Sequence, residues 1–232
     1  RYQEITRRMA AEQRKQAALM MQMEREGKPV RICRLKTRQA GDSTLGEAWN
    51  FHHVHWTPRT RAIVVAHDDE ATKSLYEIAQ LMYAEMPREL QHPVQKLNRR
   101  ELAFEPPHGS TLLTATAGWL GLGRSRTIQH HHYSEIDFWP DPPGALAGLM
   151  ETCTMETGTS ILIESTARSG DGWLHGFWTA CKQGRTMYTP MFTPWHHVPE
   201  YRLRRTPPRE LTPEEQEWVA RFGITDPQIA WY

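Results

Sequence analysis

Three cysteines are all this sequence has, and Cys33, Cys153 and Cys181 lie too far apart to form a C-x-x-C pair. That spacing argues against a zinc ribbon and suits a reducing compartment. No apolar run approaches the ~20 residues of a membrane-spanning helix, and the first residues are charged rather than signal-like, so a soluble, intracellular protein is expected. Charge of one sign is missing too. Lys and Arg number 28 against 27 Asp and Glu, a formal net charge of +1, which excludes a general polycationic coat. Contact with nucleic acid would have to come from local clusters such as Arg7-Arg8, Arg99-Arg100 or Arg202-Leu203-Arg204-Arg205, each of which taken singly reads as solvated surface. Internal repeats and low-complexity tracts are absent. With 232 residues, 39% of them hydrophobic, the chain can bury a sizeable core in one large α/β domain or two small ones.

Strand and helix signals alternate along the chain. Residues 1–27, free of Pro until Pro29, read as a helical stretch stopped at Gly27. Val30 to Leu35 alternates like a strand, Ser43 to His55 reads as a helix capped at Ser43 or Thr44, and Arg61 to His67 suits a strand buried on both faces. Asp68 or Asp69 caps a helix running through Leu75, Ile78, Leu81 and Met82 to Pro87. Residues 88–110 form a looser excursion. Thr111–Thr116 and Thr127–Tyr133 are strands, Ala145–Thr157 a helix, and Ser160–Thr166 another strand. Met187–Trp195 suggests an edge hairpin, Pro207-Pro208 an exit linker, and Thr212–Arg221 a capped helix. Such alternation predicts a largely parallel, helix-covered sheet. The domain reading is an amino-terminal helical segment (1–28), a core (29–206) and a linker with a helix (207–232).

Between the first strand and its helix lies Lys36-Thr37-Arg38-Gln39-Ala40-Gly41-Asp42-Ser43-Thr44. It resembles a phosphate-binding loop, G-x-x-x-x-G-K-[ST], whose amides cradle phosphates, whose Lys reaches the outer phosphates and whose hydroxyl meets Mg²⁺. Gly41 and Ser43 fit. Asp42 stands where Lys is usual, a negative charge worth ~1 kcal/mol of repulsion toward phosphate if solvated, and Lys36 and Arg38 are the replacement cations. A plain turn between strand and helix is the alternative. A second segment, His132-Tyr133-Ser134-Glu135-Ile136-Asp137, ends a strand with a glutamate able to activate water. Ser134 occupies a position usually held by Asp, and a neutral hydroxyl is a poorer ligand for a hard cation. A third, Glu164-Ser165-Thr166-Ala167, puts hydroxyls at the end of another strand. His130-His131-His132 on a strand sends two rings to one face and one to the other, so the three cannot converge on one metal. His52 and His55 are a helical turn apart and read as packing before metal binding, and the nine Trp residues read as core and edge packing.

Taken together, the K-x-R-Q-x-G-x-S-T pattern at 36–44, Ser134-Glu135 followed by Phe138-Trp139, and Glu164-Ser165-Thr166-Ala167 resemble the ATPase domain of the large terminase subunit of tailed bacteriophages. Gly170, Gly172, Phe177, Trp178, Phe192, Pro194, Trp195 and Tyr201 continue the pattern in order. The resemblance covers about 30 to about 202. It implies an α/β P-loop NTPase fold of the RecA-like, ASCE kind, with a mainly parallel central sheet covered by helices on both faces. Lys36 to Thr44 would bind ATP, with Mg²⁺ on Ser43 and Ser134. Glu135 would be the catalytic glutamate, and Ser165, Thr166 and Ala167 would couple hydrolysis to DNA movement.

Arg124, with Arg126 as runner-up, matches an arginine that reaches a neighbouring subunit's site, worth roughly 10³ to 10⁵ in rate. Gln13 or Gln16 would contact adenine. The implied activity is Mg²⁺-dependent ATP hydrolysis driving double-stranded DNA into a procapsid, in a ring of copies working with a portal protein and a small terminase subunit in the cytoplasm of an infected bacterium. The nuclease domain of such proteins is not among these residues, so no DNA cleavage is expected. Two rivals remain: another P-loop translocase or helicase, which would normally carry Lys at 42 and Asp at 134, and a catalytically silent docking module with a nucleotide-binding fold.

Overall fold

In the computed structural model, which describes residues 9–118, 127–168, 170, 172–206 and 209–232, the apolar runs form the middle of an eight-stranded sheet. Its strands are β1 (Val30–Lys36), β2 (Arg61–Ala66), β3 (Val94–Leu97), β4 (Glu101–Phe104), β5 (Thr111–Thr116), β6 (His130–Ser134), β7 (Ser160–Thr166) and β8 (Thr189–Thr193). Across the sheet the order is β3-β4-β5-β2-β6-β7-β1-β8. Neighbours from β5 to β8 are parallel, and only the β3-β4-β5 edge is antiparallel. One strand, β7, therefore separates β1, which leads into the glycine loop, from β6, which leads into Glu135.

Parallel pairs need crossovers, and here they are helices on both faces. The helices are α1 (Ala11–Arg25), α2 (Asp42–Trp56), α3 (Asp69–Ala84), α4 (Pro142–Met150), α5 (Trp173–Lys182), α6 (Pro213–Phe222) and a last turn, α7 (Asp226–Ile229). Side-chain alternation along the strands sorts the core into two layers. Odd-numbered Cys33, Ile63, Val65, Tyr133, Ile161 and Ile163 pack with Leu146 and Leu149 of α4 and Leu174 and Cys181 of α5. Even-numbered Ala62, Val64 and Ala66 pack with Phe51 and Val54 of α2 and Leu75, Tyr76 and Ala79 of α3. Val30, Ile32 and Leu162 meet Met20 of α1 and Trp49 of α2 on that same side. Each fully buried Ile, Val or Leu contributes about 1.5–3 kcal/mol, so the two layers fix which strand residues can carry chemistry at the rim.

Several expectations change here. Residues 88–110 contain the antiparallel pair β3-β4, and Met187–Trp195 is not a hairpin: β8 runs parallel to β1. β6 starts at His130 rather than Thr127. α4 starts earlier than expected, at Pro142 with Asp141 accepting from the Gly144 N–H at 3.1 Å, and it ends at Met150. α2 begins at Asp42 with no side-chain cap, so neither Ser43 nor Thr44 caps it; Gly41, at φ 76°, turns the chain into the helix instead. Asp68 does cap α3, accepting from the Ala71 N–H at 2.7 Å. α1 ends just before Gly27, where a positive φ of 69° stops it.

Candidate nucleotide-binding site

At the carboxyl end of β1 the chain makes a tight loop into α2, with Gln39 at φ 55° and Gly41 at φ 76°. The left-handed glycine has a second reason to lack a side chain: a Cβ there would sit 2.4 Å from Gln13 Nε2, which donates to the Gly41 carbonyl at 2.7 Å. Ala40 is buried against Val198 and Tyr201, and the Tyr201 hydroxyl donates to the Arg38 carbonyl at 2.5 Å. The Thr37 N–H donates to the Thr193 carbonyl at 3.0 Å, joining the loop to β8. Arg38, Gln39 and Thr44 are exposed. The loop is thus fixed from α1, β8 and the 195–201 segment, and the first N–H groups of α2, with no side-chain cap, make a positive helix end beside it.

Asp42 does not lie where its sequence position suggests. Its carboxylate is buried, 2.8 Å from Arg34 Nε, and Arg34 also donates to Gln16 Oε1 and, at 2.6 Å, to Thr193 Oγ1. Burial outweighs the guanidinium, raising the Asp42 carboxyl to about 6, and it lowers Arg34 from its usual value. The expected repulsion between Asp42 and phosphate is therefore corrected: the charge is neutralised behind the loop. Lys36 is the buried cation at the rim. Its Nζ lies 2.8 Å from Glu135 Oε1 and 2.9 Å from Glu164 Oε2, and although burial works against its charge, the two carboxylates push its pKa above the ordinary lysine value.

Glu164, to which the sequence reading gave no role, is the hub. Its Oε1 accepts from Ser43 Oγ at 2.9 Å and from Ser134 Oγ at 2.8 Å, and lies 3.4 Å from His132 Nε2. Burial opposes its ionisation, but Lys36 and His132 hold the carboxyl well below the usual range. His132 in turn donates through Nδ1 to Glu47 Oε1 at 2.9 Å; despite burial, Glu164 and Glu47 raise its pKa to about 9, whereas burial raises the Glu47 carboxyl. Ser43 and Glu47 are four apart on α2 and face the sheet together. Between them Gly46 admits the imidazole, since a Cβ would come within 2.7 Å of the ring. A charged residue inside an otherwise apolar strand, as in Ser160-Ile161-Leu162-Ile163-Glu164, was the signal that could have found this hub.

Glu135 follows β6 in the left-handed region, at φ 51°, and opens a 3-10 turn (Ile136–Phe138). Its Oε2 accepts from Thr166 N–H at 3.0 Å, Thr166 Oγ1 at 3.1 Å and Ser165 Oγ at 3.1 Å. The structure therefore brings Lys36, Ser43, Ser134, Glu135, Ser165 and Thr166 to one rim; Ala167 follows, exposed. Asp137 was also missed: it accepts from the N–H groups of Leu174 at 2.8 Å and Arg168 at 3.2 Å, anchoring the segment between β7 and α5. Gln16 is buried on Arg34, whereas Gln13 lies on the loop. Arg124 and Arg126 lie outside the described residues. The histidine run splits as its alternation requires: His130 bonds Ser160 Oγ at 2.9 Å on the face of His132, and His131 bonds Tyr133 and the Ile128 carbonyl on the other. His52 and His53 pack edge to face and His53 stacks on His130, while His55 stacks on Phe51.

The donor set suits a hard divalent cation brought in with a nucleotide. Ser43 and Ser134 offer hydroxyl oxygens at one carboxylate, and among the described residues no three His, Cys, Asp or Glu side chains form a cage of their own. Mg²⁺ is characteristically held by one or two protein groups, water and the substrate's phosphates.

No protein-family model and no curated protein matches the chain. Solved structures do. The large terminase of a thermophilic bacteriophage superposes with a TM-score of 0.57 at 9% identity, covering 77% of this chain and 44% of that one. The ATPase domain of the large terminase of Thermus phage P74-26 gives 0.53 at 16% identity, covering 87% and 85%. A complex of the first of these terminases with ADP gives 0.55 at 8% identity, covering 73% and 41%. The chain thus spans under half of the first terminase and most of the P74-26 domain, and its fold is the P-loop ATPase fold of phage large terminases.

Proposed function

We propose that this chain is the ATPase motor domain of a phage large terminase, binding ATP with Mg²⁺ and hydrolysing it to drive double-stranded DNA into a procapsid. The observation that carries the reading is Glu135: one carboxylate touches both the loop lysine, at 2.8 Å, and the Ser165-Thr166 hydroxyls of the neighbouring strand, at 3.1 Å. Lys36 and the amino end of α2 bind the phosphates, and Gln13, held on the loop by the Gly41 carbonyl, would contact the base. Ser43 and Ser134 would hold Mg²⁺, which neutralises phosphate charge when bound. Glu135 orients and deprotonates the attacking water. When Lys36 turns to phosphate, Glu135 loses one of its partners while its bonds to Ser165 and Thr166 remain, which gives those residues and Ala167 a physical link to the state of the nucleotide.

The placement of Asp42 and Ser134 favours an enzyme over a silent module. Asp42 is neutralised by Arg34 and does not oppose phosphate, and Ser134 has a carboxylate beside it. DNA would be held through phosphate contacts by basic loops without sequence readout. Assembly with a portal protein and a small terminase subunit, a ring completed by Arg124 in trans, and a place in the cytoplasm of an infected bacterium belong to the same proposal; among the described residues no helix is long and apolar enough to cross a membrane. The test is ATP turnover with and without Mg²⁺, wild type against Glu135→Ala, over a range of protein concentration. Turnover should require Mg²⁺, fall on the order of 10²- to 10⁴-fold in the variant, and rise steeply with concentration if a neighbour completes the site. A wild type that neither binds nor hydrolyses ATP would sink the reading.

A further inference from the structure

The rim has a hydroxyl, Ser134, where an Asp is usual, and a carboxylate, Glu164, on the neighbouring strand. We infer that Glu164 of β7 takes over the metal-positioning duty of the acid missing at Ser134, so that Ser43, Ser134 and Glu164 together hold the divalent cation that accompanies the nucleotide. The inference rests on the nucleotide-hydrolysing reading above and adds a residue to it.

Strand register is the first support. Ser134 and Glu164 are paired Cα partners in the parallel β6-β7 ladder, so they lie at the same depth on the same face, one strand spacing of roughly 4.8 Å apart. The acid has moved sideways by one strand and not along the sheet. Contact geometry is the second: a single oxygen, Glu164 Oε1, receives both Ser43 Oγ and Ser134 Oγ at 2.9 and 2.8 Å, which gathers hard oxygen donors from α2, β6 and β7 at one point.

A purely structural role, that of anchoring Lys36, uses only the other oxygen. Oε2 is the one at 2.9 Å from Lys36, and Lys36 already has Glu135 at 2.8 Å. The identity of residue 134 follows from the same arrangement. An aspartate there would put a second carboxylate against Glu164, and two like charges that close cannot both ionise comfortably, whereas a serine donates to it. Behind Glu164, His132 and Glu47 fix the carboxylate much as outer groups orient a ligand in metal sites.

The experiment is calorimetric titration of ADP into wild type, Glu164→Gln, Glu164→Asp and the double variant Glu164→Gln/Ser134→Asp, each in Mg²⁺ and in EDTA. Wild type should bind ADP more tightly in Mg²⁺. In both single variants the ratio of the affinities in Mg²⁺ and in EDTA should fall by on the order of 10- to 100-fold, and binding in EDTA also reports that the loop is folded. The Lys36 contact is common to both buffers, so a loss confined to Mg²⁺ separates anchoring from metal positioning, and Glu164→Asp, which keeps the charge, serves even if the amide variant folds poorly. The double variant should regain most of the tightening, because its acid returns at the same depth. Retained Mg²⁺ dependence in the single variants, an equal loss of ADP affinity in EDTA, or no recovery in the double variant would each overturn the inference. Absence of ADP binding by wild type in both buffers would instead remove the functional reading beneath it.

Discussion

A lysine at position 42 would restore the letter of the phosphate-loop motif, yet it should damage the protein. The side chain at 42 points into a buried pocket at 2.8 Å from Arg34, whose other nitrogens are taken by Gln16 and Thr193. Asp42→Lys would leave two buried cations facing each other, and removing one partner of a buried pair costs about 3–5 kcal/mol. Urea unfolding should show a loss of that size, with nucleotide affinity unimproved. Lys36→Ala, by contrast, should abolish measurable binding of ATP while leaving Glu135 and Glu164 unbalanced. His132 makes a second residue-scale prediction. Its pKa is raised from 6.5 to about 9, so its contribution to stability is complete below about pH 6.5 and is lost as pH rises through 9. The Glu164 carboxyl is depressed, so its contribution is present above about pH 4.5 and is lost as pH falls below that. Imidazole proton NMR should find His132 protonated well above neutrality and His53, held down to about 4 chiefly by burial, neutral.

Among elements, α2 does the most to assemble the site, and its close approach to the sheet depends on Gly46. Gly46→Ala places a methyl 2.7 Å from the His132 ring; overpacking of this kind costs about 1–3 kcal/mol, and the thermal midpoint should fall while the His132 resonance shifts. α2 also shows how far the sequence could be read. Its existence, the strand before it and the loop between them were legible because Gly, the hydroxyls and the alternating apolar residues are local signals. The direction of the Asp42 side chain was not, because it is set by Arg34, a charge on a strand whose burial only the assembled sheet reveals.

The same reason hid Glu164, His132 and Glu47, which come from three elements far apart in the chain and meet only through register. Helix α5 was missed because Trp173, Phe177, Trp178 and Gly176 are weak helix formers, and its helical form is imposed by packing of Leu174 and Cys181 against the sheet. β3 was missed because it is short, largely exposed and at an edge.

At the scale of the molecule, residues 228–232 pack on the 195–201 segment that holds the glycine loop. Tyr201 stacks on Trp231 at 4.2 Å between ring centres and 8° between planes, Trp195 stacks on Tyr232 at 5.1 Å, and Gln228 Nε2 donates to the His196 carbonyl at 2.7 Å. The same Tyr201 donates to the Arg38 carbonyl and buries Ala40. A continuous chain of contacts thus runs from residues 225–232 to the loop proposed to bind phosphate. Linkage then makes the effect reciprocal: if the stack orders the loop, nucleotide on the loop must order the stack by the same free energy. Tyr201→Phe removes one hydrogen bond, worth about 1 kcal/mol, and should weaken ADP binding roughly fivefold. Trp231→Ala removes a stacked partner worth about 0.5–1.5 kcal/mol beyond its burial and should do the same from further away. Hydrogen exchange checks the reverse direction. ADP with Mg²⁺ should slow exchange of the amides of Gln228 to Tyr232 in wild type and lose most of that protection in Tyr201→Phe, whereas equal protection in both would show that the stack and the loop are independent.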